Sequence, residues 1–257
     1  MSDAYQIGAI GLRTQQLALD AIANNISNIN TPGFKRSEVR FADVVASRPD
    51  ATLLPADLQS AAPTLAGVAL DLQFMLNDPG ELQRTGAAMD VAVDGAGFIE
   101  LMGPDGQSVL WRGGRLQVGD DGALTGAGGF ALKANITVPD DVTALTIAPD
   151  GTVRAQGADG AAPVELGQIR LVRLSDAADV TRMDGGLYRI TDGARLEELV
   201  SGEDGVGQVV QGAVERSNVQ LTEEMVRMML VQRAYAANAQ ILQAADQMMG
   251  IANTLRR

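Results

Sequence analysis

Neither cysteine nor histidine occurs in the 257 residues. Without imidazole or thiolate the chain cannot build a Ser-His-Asp triad, a cysteine nucleophile, a zinc finger or a His-ligated haem. Chemistry that needs a group titrating near neutrality is left to carboxylates, lysine or tyrosine. Without disulfides, the redox compartment stays unread. Lysine is scarce too, with Lys35 and Lys133 the only two, and aromatics make up 4% of the chain. The net charge of −12 disfavours nucleic acid and an anionic membrane surface, which require clustered cations. No apolar run is long enough for a transmembrane helix, so no membrane insertion is expected. The first basic residue is Arg13, with no basic segment ahead of an apolar one, and no cleaved signal peptide is expected.

What is present falls into three regimes. Residues 1–46 hold four acids and four bases and residues 212–257 four and five, so the acidity sits in 47–211, with 24 acids and 11 bases. Along 5–30, Leu12, Leu19, Ile22, Ile26 and Ile29 recur on one helical stripe, and Ile7, Ile10, Leu17 and Ala21 on a second. Thr31-Pro32-Gly33 should end this helix, because Pro32 disfavours helical backbone at the residue before it and Gly33 accepts positive φ. Pro49, Pro55 and Pro63 punctuate 47–66, which reads as an extended connection.

From about 68 to 210 the period changes to two. Val68, Leu70, Leu72, Phe74 and Leu76 alternate with other residues, and short apolar runs follow at 89–93, 98–102, 109–112, 144–147, 168–174 and 187–191. Among them stand eight Asp-Gly pairs, beginning at Asp94, Asp105, Asp121, Asp150, Asp159, Asp184, Asp192 and Asp204. Asp-Gly suits turns of positive φ, so antiparallel β structure with tight hairpins is expected. The same pairs lack the spacing of a calcium loop, and no metal or cofactor is expected.

Ser217-Asn218-Val219-Gln220 has capping-box spacing and predicts a helix from there to about 255. A seven-residue repeat runs through Leu221, Met228, Tyr235, Leu242 and Met249, with Val231, Asn238, Ala245 and Ala252 between. A second runs beside it through Leu230, Ala237, Ala244 and Ile251, with Ala234, Ile241, Met248 and Leu255 between. Two adjacent seams require neighbours on two sides, and within the chain only the N-terminal helix can supply one. The expected fold is α+β: N- and C-terminal helices paired as a coiled-coil-like bundle, with a central antiparallel β domain inserted between them. The expected divisions are 1–46, 47–66, 67–210 and 211–257. The helical ends are expected to order fully only when neighbours cover the second seam.

Three local groups invite chemical readings. Asn24, Asn25 and Asn28 sit among Ile22, Ile26 and Ile29, so their amides are expected to hydrogen-bond at the helix end or across to another subunit. Asp90 with Asp94, or Glu197 with Glu198, could serve as an acid and base on polysaccharide; carboxylates beside glycine as turn formers, and those in strands as solvent-facing groups, are the stronger reading. Lys35-Arg36 with Arg40, flanked by Glu38 and Asp43, reads as an ordinary solvated surface.

The run from Ala23 to Arg36, ANNISNINTPGFKR with its leading Ala, resembles the N-terminal signature of bacterial flagellar rod and hook proteins. Residues 89–99 look like the central strand-turn-strand block of that family, and 211–219 with Glu223-Glu224-Met225-Val226 and Gln232-Arg233-Ala234-Tyr235 look like its C-terminal block. Within the family, 5–16, Gly33-Phe34-Lys35-Arg36 and the Gln-Arg-Ala-Tyr block are nearest the distal rod type, with the larger proximal rod type next. The resemblance implies a structural protein and no enzyme: a subunit of the helical tube that transmits torque from motor to hook. It implies export through the flagellar type III apparatus and assembly in the periplasm. Its implied partners are other copies of itself, neighbouring rod and hook proteins and the basal-body rings. The Asn-rich helix end with Pro32, Gly33 and Phe34, and the seams of both helices, are the candidate assembly residues.

Overall fold

The computed structural model describes residues 2–43, 68–104, 106–157, 162–174, 180–190, 196–202 and 205–255. The expected connection at 47–66 lies outside them. The chain is α+β, with an N-terminal helix, a mostly antiparallel β region and a C-terminal helix. It divides into two compact units, one made of the described parts of 1–23, 37–73 and 225–257, the other of 24–36 and 74–224.

The first unit carries most of helix α1 (Ser2–Ser27), strands β1 (Ser37–Asp43) and β2 (Val68–Phe74), which pair with each other, and most of helix α2 (Leu221–Leu255). Among the described residues no helix is long and apolar enough to cross a membrane. α1 stops three residues short of the expected end. The Asn28 amide side chain donates to Asn24 O at 2.9 Å and Thr31 Oγ1 donates to Asn28 Oδ1 at 3.1 Å, local bonds that compete with a further helical turn.

The second unit holds β3 (Leu82–Arg84), β4 (Asp90–Asp94), β5 (Phe98–Met102), β6 (Ser108–Trp111), β7 (Gly113–Arg115), β8 (Gln117–Val118), β9 (Leu124–Thr125) and β10 (Ala131–Leu132). It continues with β11 (Val142–Ile147), β12 (Thr152–Gly157), β13 (Val164–Gln168), β14 (Leu171–Leu174), β15 (Val180–Arg182), β16 (Leu187–Ile190), β17 (Leu196–Leu199), β18 (Gln208–Gln211) and β19 (Ala213–Glu215). The largest sheet has the order β15-β16-β6-β5-β10-β9-β8, with β14 joining β5 and β17 joining β14. Smaller sheets are β11-β12-β13, β18-β4-β7 and β19-β3.

Register explains why two cores form. Ile99 lies opposite Trp111 and Leu101 opposite Val109, all buried in a cluster with Leu124, Leu132, Val153 and Leu171. The alternate residues Phe98 and Leu110 face the other way, into a second cluster with Val172, Val180 and Tyr188. The expected run at 168–174 is divided between sheets: Gln168 ends β13, the Ile169 amide still donates to Gly151 O at 2.8 Å beside β12, and Leu171–Leu174 form β14.

Three Asp-Gly pairs, at Asp121, Asp150 and Asp184, sit in hairpin turns as expected. Four others begin outside the described residues. Asp94-Gly95 is the exception: β4 and β5 belong to different sheets, and Gly95, at φ +115°, turns the chain from one to the other. Gly113 is under a tighter constraint. Its φ is +111° and an added Cβ would lie 2.3 Å from Val91 O, a backbone atom that pairing of β4 with β7 holds in place. Gly113→Ala is therefore expected to cost at least about 2 kcal/mol, read as a lowered denaturant midpoint with unchanged slope. An unchanged midpoint would show that β7 can shift.

Candidate assembly interface

The segment between α1 and β1 is built into the second unit by side-chain bonds and single backbone bonds rather than by a sheet ladder. Every backbone polar group of residues 34–36 has a partner. The Phe34 amide donates to Thr31 O at 3.3 Å, and Phe34 O accepts from the Asn218 amide at 3.3 Å. The Lys35 amide donates to the Tyr188 hydroxyl at 2.8 Å, and Lys35 O accepts from Arg182 Nη2. The Arg36 amide donates to Asn218 Oδ1 at 2.7 Å, and Arg36 O accepts from the Met75 amide at 2.9 Å. Asn218 Nδ2 also donates to Asp78 O at 3.1 Å.

Asn218 thereby corrects the expected helix start. Its main and side chains are committed to 34–36, so α2 begins at Leu221, and the Glu224 amide donates to Gln220 O at 3.0 Å. Ser217 Oγ accepts only from the Val219 amide, at 3.3 Å, and caps no helix.

Lys35 is a second correction, for its side chain is 1% exposed, not solvated. Nζ donates to Glu215 Oε1 at 2.6 Å and to Asp78 O at 2.7 Å. Glu215 Oε1 also accepts from the Gly80 amide at 2.7 Å, and its Oε2 from Arg112 Nε at 2.7 Å. Arg112 Nη1 donates to Gly97 O, and Nη2 to the carbonyls of Val93 and Gly95, at the corner between β4 and β5. Burial, then repulsion from Arg112, push the Lys35 amine down, with Glu215 pulling it back. Burial would raise the Glu215 carboxyl, but Arg112 and Lys35 outweigh it and hold it below its ordinary range. Burial pushes the Tyr188 hydroxyl up to about 12.

The amides singled out in the sequence all find partners inside the chain. Asn24 Oδ1 accepts from Arg182 Nη1 at 2.7 Å, and buried Asn25 donates to Glu224 Oε2 at 3.4 Å. Gly33 and Phe34 are buried and Pro32 is exposed; the Gly33 amide donates to Glu215 O at 2.8 Å.

The helix stripes separate by exposure. On α1, Ile22 is buried and Leu12, Leu19, Ile26 and Ile29 are half-buried, whereas Ile10 and Leu17 of the second stripe are exposed and Ala21, at its C-terminal end, is buried. On α2, Met228, Val231, Asn238 and Leu242 are half-buried, with Leu221 and Tyr235 at 40% exposure; the side chain of Met249 lies outside the described ones. In the neighbouring seam Leu230, Ile241, Met248 and Ile251 are 59–65% exposed. Within this unit α1 meets α2 closely, since a Cβ on Gly11 would lie 2.9 Å from Asn238 Nδ2.

The carboxylate pairs considered for catalysis are not arranged for it. Asp90 and Asp94 stand at opposite ends of β4, roughly 13 Å apart along the strand, beyond an acid-base pair's reach. Asp90 is buried and pairs with Arg115 at 3.2 Å. Glu197 and Glu198 are neighbours in β17, and Arg173 holds the first at 2.8 Å while Lys133 and Arg170 hold the second at 3.4 and 3.6 Å.

Terminal helices with uncovered apolar seams, before and after a β unit with its own core, define a structural subunit built for assembly. Comparison with known proteins agrees: the model for flagella basal body rod proteins matches residues 6–35, that for the flagellar hook protein FlgE/F/G D1 domain 92–155, and that for the flagellar basal body rod FlgEFG protein C-terminal region 210–255. The chain is 33% identical to the flagellar basal-body rod protein FlgG of Borreliella burgdorferi over 264 residues, covering 100% of both chains. It is 33% identical to FlgG of Buchnera aphidicola subsp. Acyrthosiphon pisum over 97% of this chain and 98% of that one. It is 32% identical to the rod protein FlgF of Salmonella typhimurium over 96% of each. The chain belongs to the flagellar basal-body rod protein family and is a structural subunit of the flagellar rod.

Proposed function

We propose that this chain is a distal-type rod subunit that polymerises through α1 and α2, paired as a coiled-coil-like bundle, into a helical tube carrying torque to the hook. The tube wall is made by the helical ends of the 1–46 and 211–257 regions, and the acidic β region, 67–210, faces outward, where its like charges are screened by solvent. Subunits leave through the flagellar export apparatus without signal cleavage and assemble in the periplasm, contacting other copies, neighbouring rod or hook subunits and the basal-body rings. No nucleic acid and no cofactor take part.

The observation that carries this reading is the uncovered seam of α2, with Ile241 and Met248 at 64% and 65% exposure while the adjacent seam is half-covered. Ile10 and Leu17 on α1 repeat at the same seven-residue interval, so the open stripe of one copy matches the open seam of the next. Such a contact joins unlike surfaces and propagates instead of closing. The full-length similarity to FlgG supports the distal type; the similarity to FlgF favours the larger proximal type as second reading. Electron microscopy of concentrated purified protein tests the assembly: straight tubes are expected, and closed dimers in their place would overturn it.

A further inference from the structure

The geometry points to Arg182 as a positioning residue for assembly: one guanidinium holds the last turn of α1 and the far end of the loop that leaves it, and so fixes that turn on the β15-β16 hairpin. Nη1 donates to Asn24 Oδ1 at 2.7 Å, in the last turn of α1, and Nη2 donates to Lys35 O, near the end of the loop. Arg182 and Tyr188 are directly opposite in the β15-β16 register. One of this pair takes the carbonyl of Lys35 and the other its amide, at 2.8 Å, so two side chains stand in for a strand partner that residue 35 lacks. The guanidinium carbon lies 4.2 Å from the Phe34 ring centroid and 4.7 Å from that of Phe74, which sandwiches the cation between two aromatic faces. Its planar fork is what permits two acceptors at once; an ammonium in the same place is a single point of charge.

Asn24 supplies a clean probe. It is exposed and lies in α1, where alanine is the better helix former, so Asn24→Ala should strengthen the helix while releasing one end of the loop. A rise in loop exchange in that variant therefore reports the lost bond rather than a frayed helix. Asn24→Asp keeps an acceptor for the guanidinium and should retain the hold.

The test is hydrogen exchange on the full-length monomer, with thermal melting of the same samples. In Arg182→Lys and Asn24→Ala the amides of Lys35 and Arg36 are expected to exchange about tenfold to a hundredfold faster, the usual consequence of losing a charged hydrogen bond. The main melting transition should stay in place and Asn24→Asp should match the parent. In an Arg182→Lys background, Asn24→Ala should add little, because both changes remove the same contact. Unchanged exchange at residues 34–36 in both single variants would overturn the inference. A second readout rests on the proposed tube: the protein concentration at which tubes first form should rise about tenfold in both variants. Absence of tubes from the parent protein would count against the proposed polymerisation alone, since the exchange result stands without it.

Discussion

Replacing Glu215 by alanine is expected to unfold the β-bearing unit at temperatures where the parent chain is native. The carboxylate is 1% exposed and is shared by Lys35 Nζ, Arg112 Nε and the Gly80 amide, at 2.6, 2.7 and 2.7 Å. Its removal takes the shared acceptor from two buried cations and an amide. Breaking a buried pair from one side costs about 3–5 kcal/mol, a large share of the roughly 5–15 kcal/mol that holds a domain together. The melting temperature should fall by roughly 10 °C or more. Lys35→Met should be milder, because the Glu215–Arg112 contact survives and an apolar chain replaces a desolvated amine. If Lys35→Met proved the more damaging of the two, the carboxylate would not be the hub of the cluster.

The same group sets the acid limb of stability. Burial works against the Glu215 anion, but Arg112 and Lys35 hold its folded pKa below the ordinary 4.5. A carboxyl with a depressed folded pKa contributes stability that is complete above its unfolded value and lost as pH falls through the folded one. Melting points are thus expected to be level above about pH 5 and to decline progressively below about pH 4.5, and the decline should be shallower in Glu215→Gln. Parallel acid limbs in parent and variant would assign the loss to other carboxylates.

Why this cluster escaped the sequence is a matter of range. Lys35 and Glu215 are separated by 180 positions, and nothing in the local run Lys35-Arg36-Ser37-Glu38 distinguishes a buried cation from a solvated one. The available signals were indirect: one of only two lysines, directly after Gly33-Phe34, and a single acid closing the otherwise uncharged stretch 205–215 that precedes Arg216. Asn218 escaped for a related reason, since the spacing of Ser217 and Gln220 satisfies a cap on paper while long-range bonds to 34–36 take the residues out of helical conformation. The helix stripes were legible because their information is local. Period alone separates Leu12, Leu19 and Ile22 from Ile10 and Leu17, and the structure covers the first set more than the second. Period two likewise located β5 and β16, but not which sheet each strand enters: that depends on corners such as Gly95, whose Asp-Gly pair looks the same as the hairpin pair at Asp121.

Ile241→Asp is expected to abolish polymerisation and leave the β unit's melting unchanged. Ile241 is 64% exposed on the open seam of α2, so in the free chain the aspartate meets water and costs little. In a tube the same position would be covered by a neighbour. Burial of the isoleucine contributes about 1.5–3 kcal/mol, and an unpaired carboxylate in apolar surroundings adds a penalty of similar size or larger. Together they amount to about 4 kcal/mol or more per contact, a roughly thousandfold rise in the concentration needed for assembly. Gln240→Glu, exposed and outside both repeats, should assemble as the parent does. Hydrogen exchange on the monomer separates this from a rigid-body account. An uncovered seam withholds part of the burial that offsets ordering entropy, so amides in 2–23 and 225–250 should exchange rapidly before assembly and slowly after it. Residues 34–36, tied by Tyr188 and Asn218, should be protected in both states. Strong protection across 225–250 in the free chain would mean that α2 is already packed, and that assembly joins preformed helices instead of folding them.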